Sequence, residues 1–142
     1  MSDLRQRIVD AAKDMQMVNF ATLTEEGKPW VRYVMGKADN ELVFRFCTHL
    51  ESRKVAQIKK NPNAHISLGV SDLETARNWL QVEGVAEIST DKAERDAFWF
   101  DDLKNYFSGP DDPGYCIVIV KPSKIEFGTM GSMVPEVWEQ GG

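Results

Sequence analysis

The chain is poor in the residues that most often carry chemistry unaided, with 2 cysteines and 2 histidines in 142 residues. Cys47 and Cys116 lie in separate apolar runs, with no CxxC and no Cys/His cluster. A zinc site and a disulfide framework are therefore unsupported, and both read as buried, reduced thiols. His65 alternates with Ser67 and Gly69 along a strand-like run and reads as a structural or surface histidine, while His49 sits in a turn with no nucleophile to serve. There is no GxSxG elbow, no GxGxxG and no Walker pattern, and "GTMGS" at 128–132 reads as a connection. Positive charge is also scarce: 17 Lys and Arg stand against 22 Asp and Glu, a net charge of −5, which argues against the basic face of a nucleic-acid binder. No apolar run approaches the ~20 residues of a membrane span, and the first residues lack the apolar core of a signal peptide. The expectation is a cytoplasmic protein without membrane or nucleic-acid partners and without a metal.

What remains is ordinary globular material, 42% hydrophobic and 27% charged, of a length that fits one domain over residues 1–142. Leu4, Ile8, Ala11, Ala12 and Met15 share one helical face, with Ser2 as the expected cap. The period then changes. "VNFATLT" and "PWVRYVMGK" read as two strands joined by the turn "EEGK", and "NELVFRFCT" reads as a third. A helix from Ser52 stops before Pro62, "AHISLGV" forms a strand, and "RNWLQVEGVAEIST" forms a longer one bent at Gly84. Asp91 and Glu94 are spaced as a capping box at the start of a second helical region. After the loop "SGPDDPG", "YCIVIVKPSKIEFGT" closes the fold as a strand pair or one long bent strand. "YCIVIV" is apolar on both faces, so one face fills the core and the other meets a helix or a second subunit. The pattern implies a mainly β fold, a small antiparallel barrel with helical decorations.

One stretch is electrostatically odd. In "FCTHLESRKVAQIKKNP", Arg53 and Lys54 fall in the first turn of a helix, where the dipole prefers anions by about 0.3–1 kcal/mol per group. Thr48 and Ser52 stand nearby as hydroxyl donors, and the first helix N–H groups are free. Residue types alone leave two readings open. Either the cations are solvated surface charges compensated by Glu51, or an anion such as a phosphate is held there.

"LESRKVAQIKKNPNAHISL" closely resembles the matching segment of pyridoxamine 5′-phosphate oxidases and their relatives. "FATLTEEGKPWVRYVMGKADNELVFRFCT" is similar to that family's opening three strands, and "VEGVAEISTDKAERDAFW" to its Val-Glu-Gly strand and following helix. "GPDDPGYCIVIVKPSKIEF" resembles the late loop and strand of the general stress protein branch. The resemblance implies an antiparallel split β-barrel that forms a homodimer with FMN at the subunit interface. By position it assigns Arg53 and Lys54 to the FMN phosphate, with hydrogen bonds from Thr48 and Ser52. Arg32, Tyr33, Val34 and Met35 then lie along the ribityl chain and ring, and Trp79 meets the flavin from the other subunit.

Flavins supply their own electron chemistry, which accords with the missing triad and metal cluster. The implied function is an FMN-dependent oxidoreductase acting on an undetermined small molecule. The alternatives are a non-catalytic flavin-binding stress carrier or sensor, and a relative that takes a deazaflavin or haem-type ligand. Oxidases of vitamin B6 phosphates carry a tryptophan shortly after the final Glu-Phe pair and a later Arg-Leu-His segment. Here Phe127 is followed by Gly128 and no such segment occurs before Gly142, so the shorter general stress protein branch is the nearer resemblance and vitamin B6 phosphate oxidase activity is not expected.

Overall fold

Alternating apolar residues determine which side of each strand is buried, and here they wrap one sheet into a closed surface. The computed structural model describes residues 3–141. In chain order it contains α1 (Leu4–Ala12), β1 (Gln16–Leu23), β2 (Pro29–Ala38), β3 (Phe44–His49), α2 (Arg53–Lys60), β4 (Asn63–Leu68) and β5 (Asn78–Ser89). Then follow α3 (Lys92–Phe98), a 3₁₀ turn (Asp101–Asn105), β6 (Tyr115–Thr129) and β7 (Glu136–Glu139). The strands are ordered β3-β2-β1-β4-β5-β6-β7, all antiparallel, and β3 also pairs with β6. That last pairing closes six strands into a barrel, the antiparallel split-barrel architecture expected from the sequence. Phe20, Phe44, Phe46, Ile66, Leu80, Val82 and Ile125 fill it.

β6 is one continuous strand with two partners on the same edge. Its residues 115–120 pair with β3 and close the barrel, whereas 124–127 pair with β7. Every side chain of "YCIVIV" is buried within this one chain. The face away from the barrel interior is covered by the chain itself: Tyr115 stacks against Trp99 and Phe107 at 5.4 and 4.9 Å, and its hydroxyl donates to the Arg95 carbonyl at 2.9 Å. A second subunit is not needed to cover that strand.

Several local expectations change. α1 ends at Ala12 rather than Met15, because the Gln16 amide donates to the carbonyls of Ala11 and Asp14, both at 3.0 Å, and draws the chain into β1. Asp3 occupies the cap position and accepts from the Gln6 N–H; Ser2 lies outside the described residues. β3 begins at Phe44 and not at Asn40. The Asp39 carboxylate accepts from the N–H groups of Glu41 and Val43 at 2.8 and 3.1 Å, which turns the backbone. Leu42 takes φ +64° in that turn and is fully buried, so burial offsets the ~1–2 kcal/mol cost of a left-handed non-glycine residue.

The expected capping box does not form. Asp91 is at the cap of α3 without a side-chain bond, and Glu94 turns outward to Arg45 at 2.7 Å. Arg45 also donates to Asp39 at 2.7 Å, and these partners, Glu94 foremost, hold its pKa above the ordinary arginine value. The pull of a half-buried guanidinium outweighs a cap bond.

Gly84 sits opposite an irregularity in β6: Glu83 pairs with Lys124 and Gly84 with Pro122, so the register shifts and Ser123 of β6 has no partner on β5. A Cβ there would lie 2.8 Å from the Lys121 carbonyl oxygen and 2.9 Å from Val120 Cγ1. Gly84→Ala should therefore lower stability by about 1–3 kcal/mol, the usual cost of overpacking. A urea midpoint equal to that of the parent would show that β5 and β6 can part there without cost.

Candidate functional site

β2 presents Trp30, Arg32 and Val34 on the same side as Phe20 and Thr22 of β1, as the strand alternation and the cross-strand register require. This side faces α2. The Arg32 guanidinium donates from Nη1 to Thr22 Oγ1 at 2.8 Å and to the Phe20 carbonyl at 3.3 Å. From Nη2 it donates to Gln57 Oε1 at 3.1 Å. The Thr22 hydroxyl in turn donates to Gln57 Oε1 at 2.5 Å. Arg32 lies over the Phe20 ring at 5.7 Å, and Arg53 over the Trp30 ring at 5.8 Å. Lys54 Nζ donates to Thr48 Oγ1 at 2.9 Å, and the Thr48 hydroxyl donates to Ser52 Oγ at 3.1 Å.

Three cations thus gather where β2, the end of β3 and the start of α2 meet. Among the described residues none of them forms an ion pair, and the first turn of α2 holds no acidic residue. Glu51, the compensating partner that the sequence offered, is not engaged. Burial lowers the Lys54 pKa, and the charges of Arg32 and then Arg53 lower it further. Burial and the Arg53 charge likewise lower that of Arg32. Two half-buried cations, Arg32 and Lys54, beside the exposed Arg53 and with no counter-charge among the described residues, are stabilised by an anion from outside.

The lowered Lys54 pKa has a measurable sign. Between its depressed folded value and the ordinary 10.5, the unfolded chain binds more protons, so this residue makes ligand-free stability rise with pH. Tyr115 acts oppositely, because burial raises its phenol pKa and that contribution is lost as pH rises. Comparing the parent with Lys54→Met isolates the lysine. The parent's stability relative to that variant should climb through the alkaline range in urea titrations, and a flat difference would show an unperturbed ammonium.

The residues singled out from sequence divide into two groups. Arg32, Thr48, Ser52, Arg53 and Lys54 converge, with Thr48 (8% exposed) and Ser52 holding Lys54 rather than standing free. Ser52 occupies the cap position of α2 without a side-chain cap bond. Val34 packs inward against the core. Tyr33 and Met35 point to the opposite face of β2, where Tyr33 is 74% exposed. Trp79 lies on that same outer face of the sheet, half-buried over Gly128, beside a groove of about 250 Å³ lined by Asn19, Ser67, Leu68, Val70 and Gln81. His65 is also on the outer face, opposite Glu83, and His49 stacks on Phe107 at 4.5 Å. Among the described residues no group of His, Cys, Asp and Glu is placed to hold a metal ion. Burial pushes the Cys47 thiol up to about 11, which keeps it protonated and unreactive.

Thr22, Gln57 and Trp30 escaped the sequence reading. The signal for Gln57 was available: it follows Arg53 by four residues and Lys54 by three, and so shares their helix face.

The family model described as Pyridoxamine 5′-phosphate oxidase matches residues 4–128. The chain belongs to the pyridoxamine 5′-phosphate oxidase family. Within the family it is similar to general stress protein 26 of Bacillus subtilis (strain 168), at 29% identity over 133 residues, covering 94% of each chain. The crystal structure of general stress protein 26 from Bacillus anthracis superposes with a TM-score of 0.82 at 26% identity, over 96% of this chain and 98% of that one. A heme binding protein from Mycobacterium smegmatis shares the fold at 19% identity with a TM-score of 0.72, covering 95% of this chain and 56% of that one. The chain spans 42% of the length of a curated pyridoxine/pyridoxamine 5′-phosphate oxidase that it matches at 33% identity over 91 residues. The family membership accounts for the closed barrel. No helix among the described residues is long and apolar enough to cross a membrane.

Proposed function

We propose that this family member binds FMN and performs flavin-dependent redox chemistry on a small molecule. The observation that carries the reading is the uncompensated cluster of Arg32, Arg53 and Lys54, whose charge suits a phosphate monoester. In this reading Arg53 and Lys54 hold the phosphate, Arg32 adds charge from the β2 side, and Thr48 with Ser52 fixes the Lys54 ammonium. The β2 segment Tyr33, Val34 and Met35 would run along the flavin with its backbone, since Tyr33 and Met35 point to the face opposite Val34, and Trp79 would approach the ring from a second subunit. Bound FMN supplies the electron transfer itself. The chain's own residues bind, orient and exclude water.

Homodimerisation is part of the proposal. Met17, Val31, Tyr33 and Met35 form an exposed apolar group on the paired strands β1 and β2, of the kind that marks an association surface. A residue range of 1–142 acting as one flavin-binding unit, in the cytoplasm, completes the picture.

The carrier or sensor reading keeps the same cationic corner and differs only in the absence of turnover. The haem-type reading draws on the fold shared with the mycobacterial heme binding protein. Purified protein separates these readings. The FMN reading predicts a yellow protein with flavin absorption and FMN as the released ligand on chromatography. A colourless protein that takes up no added FMN would sink it, and a released haem or deazaflavin would replace it. Turnover with a reduced nicotinamide and a panel of acceptors distinguishes enzyme from carrier.

A further inference from the structure

Around the cluster, the side chains that orient Arg32 are all uncharged. Its guanidinium is held by Thr22 Oγ1, the Phe20 carbonyl and Gln57 Oε1 at 2.8, 3.3 and 3.1 Å. Thr22 is buried at 2% exposure, and its hydroxyl is fixed in turn, accepting from Arg32 and donating to Gln57. Gln57 Oε1 is therefore the shared acceptor on which both the strand arginine and the buried hydroxyl rest. Because both neighbours donate, the amide must present its oxygen and not its NH2 to them.

A carboxylate would be the usual partner for a half-buried guanidinium, and it would bind more strongly. It would also neutralise the charge. An amide oxygen orients the same guanidinium and leaves its full positive charge available. We propose that Gln57 is a positioning residue for the phosphate corner: it locks Arg32 in place across the gap between α2 and β2 while keeping the cluster uncompensated. Its neutrality is what makes the corner selective for a phosphorylated flavin over the unphosphorylated one. The inference rests on the FMN reading and extends it to a residue that does not touch the ligand.

The test compares FMN with riboflavin, which lacks the phosphate, in the parent, Gln57→Glu and Gln57→Leu. Affinities are read by quenching of flavin fluorescence. The parent should prefer FMN strongly. Gln57→Glu should weaken FMN about tenfold or more, since it places a carboxylate against Arg32, while riboflavin affinity stays within about twofold. Gln57→Leu keeps the charge and loses only the orientation, so its loss of FMN affinity should be smaller, about threefold to tenfold. The Gln57→Glu defect should also shrink as pH is lowered toward protonation of the new carboxyl, a response that a simple packing defect would not give. Thermal melts of each variant establish that the barrel is intact; if Gln57→Glu does not fold, Gln57→Leu alone decides. If the parent prefers FMN but both variants, or the one that folds, bind it as tightly as the parent, the positioning role is overturned and the corner stands. If the parent itself shows no preference for FMN over riboflavin, the phosphate corner fails first.

Discussion

The double variant Arg53→Ala, Lys54→Ala should lose FMN affinity by about 3–6 kcal/mol, since each charge-assisted hydrogen bond to a phosphate is worth about 1.5–3 kcal/mol. Riboflavin binding should hardly change, because the lost groups meet only the phosphate. The two single variants should sum to more than the double. Lys54 and Arg53 repel one another in the free protein and a bound phosphate relieves that cost, so each single variant forfeits the relief whereas the double forfeits it once. Stability gives an independent check of sign. With the half-buried Lys54 ammonium and its like-charged neighbour removed, the ligand-free double variant should melt no lower than the parent, while the parent alone should gain stability on adding FMN. Titration of the apo-protein with FMN and with riboflavin measures all of this. An FMN dissociation constant unchanged in the double variant would remove α2 from the binding site.

Phe20→Ala should be the most damaging single change to the fold near the site, lowering unfolding free energy by about 3–5 kcal/mol. Phe20 is fully buried and meets Phe46 edge-on at 4.5 Å, so truncation leaves a cavity in the middle of the barrel. The same ring lies under the Arg32 guanidinium, and the backbone carbonyl of Phe20 accepts from it. Two effects should therefore appear together: an earlier urea midpoint and weaker FMN binding under conditions where the variant is still folded. Phe20→Leu separates them. It refills most of the cavity but offers no aromatic face, so stability should largely return while part of the binding defect persists. Full recovery of both would show that the aromatic face under Arg32 contributes nothing.

The sequence was most legible where one physical signal dominated. Alternation placed β1, β2 and the long β5, and Pro62 ended α2 where expected, because neither pattern has a good alternative. It was least legible where side chains choose between partners. Glu94 has the spacing of a cap residue but lies within reach of Arg45, and the half-buried ion pair wins. Leu42 reads as the start of a strand, yet Asp39 captures the two N–H groups that would have extended it. At the site, the cations could be read from the chain, whereas Thr22 and Gln57 could not be assigned to Arg32 without knowing that α2 packs over β1. Tyr33 and Met35 show the converse: the residues adjacent to Arg32 in sequence point away from it, since neighbours in a strand alternate.

β7 has a consequence for the protein as a material. It is the outer strand of the sheet, and its free edge carries unpaired backbone groups of the kind that recruit other chains. It is also only four residues long, follows Pro135, and bears Glu136 and Glu139 at its two ends. Shortness, a proline at the entrance and like charges at both ends all discourage edge-to-edge stacking. Deleting residues 130–141 would uncover the 124–127 stretch of β6, which lacks that protection, and would expose an edge able to seed aggregation. The last strand is thus best understood as a guard on the sheet's edge, independent of anything bound at the cationic corner.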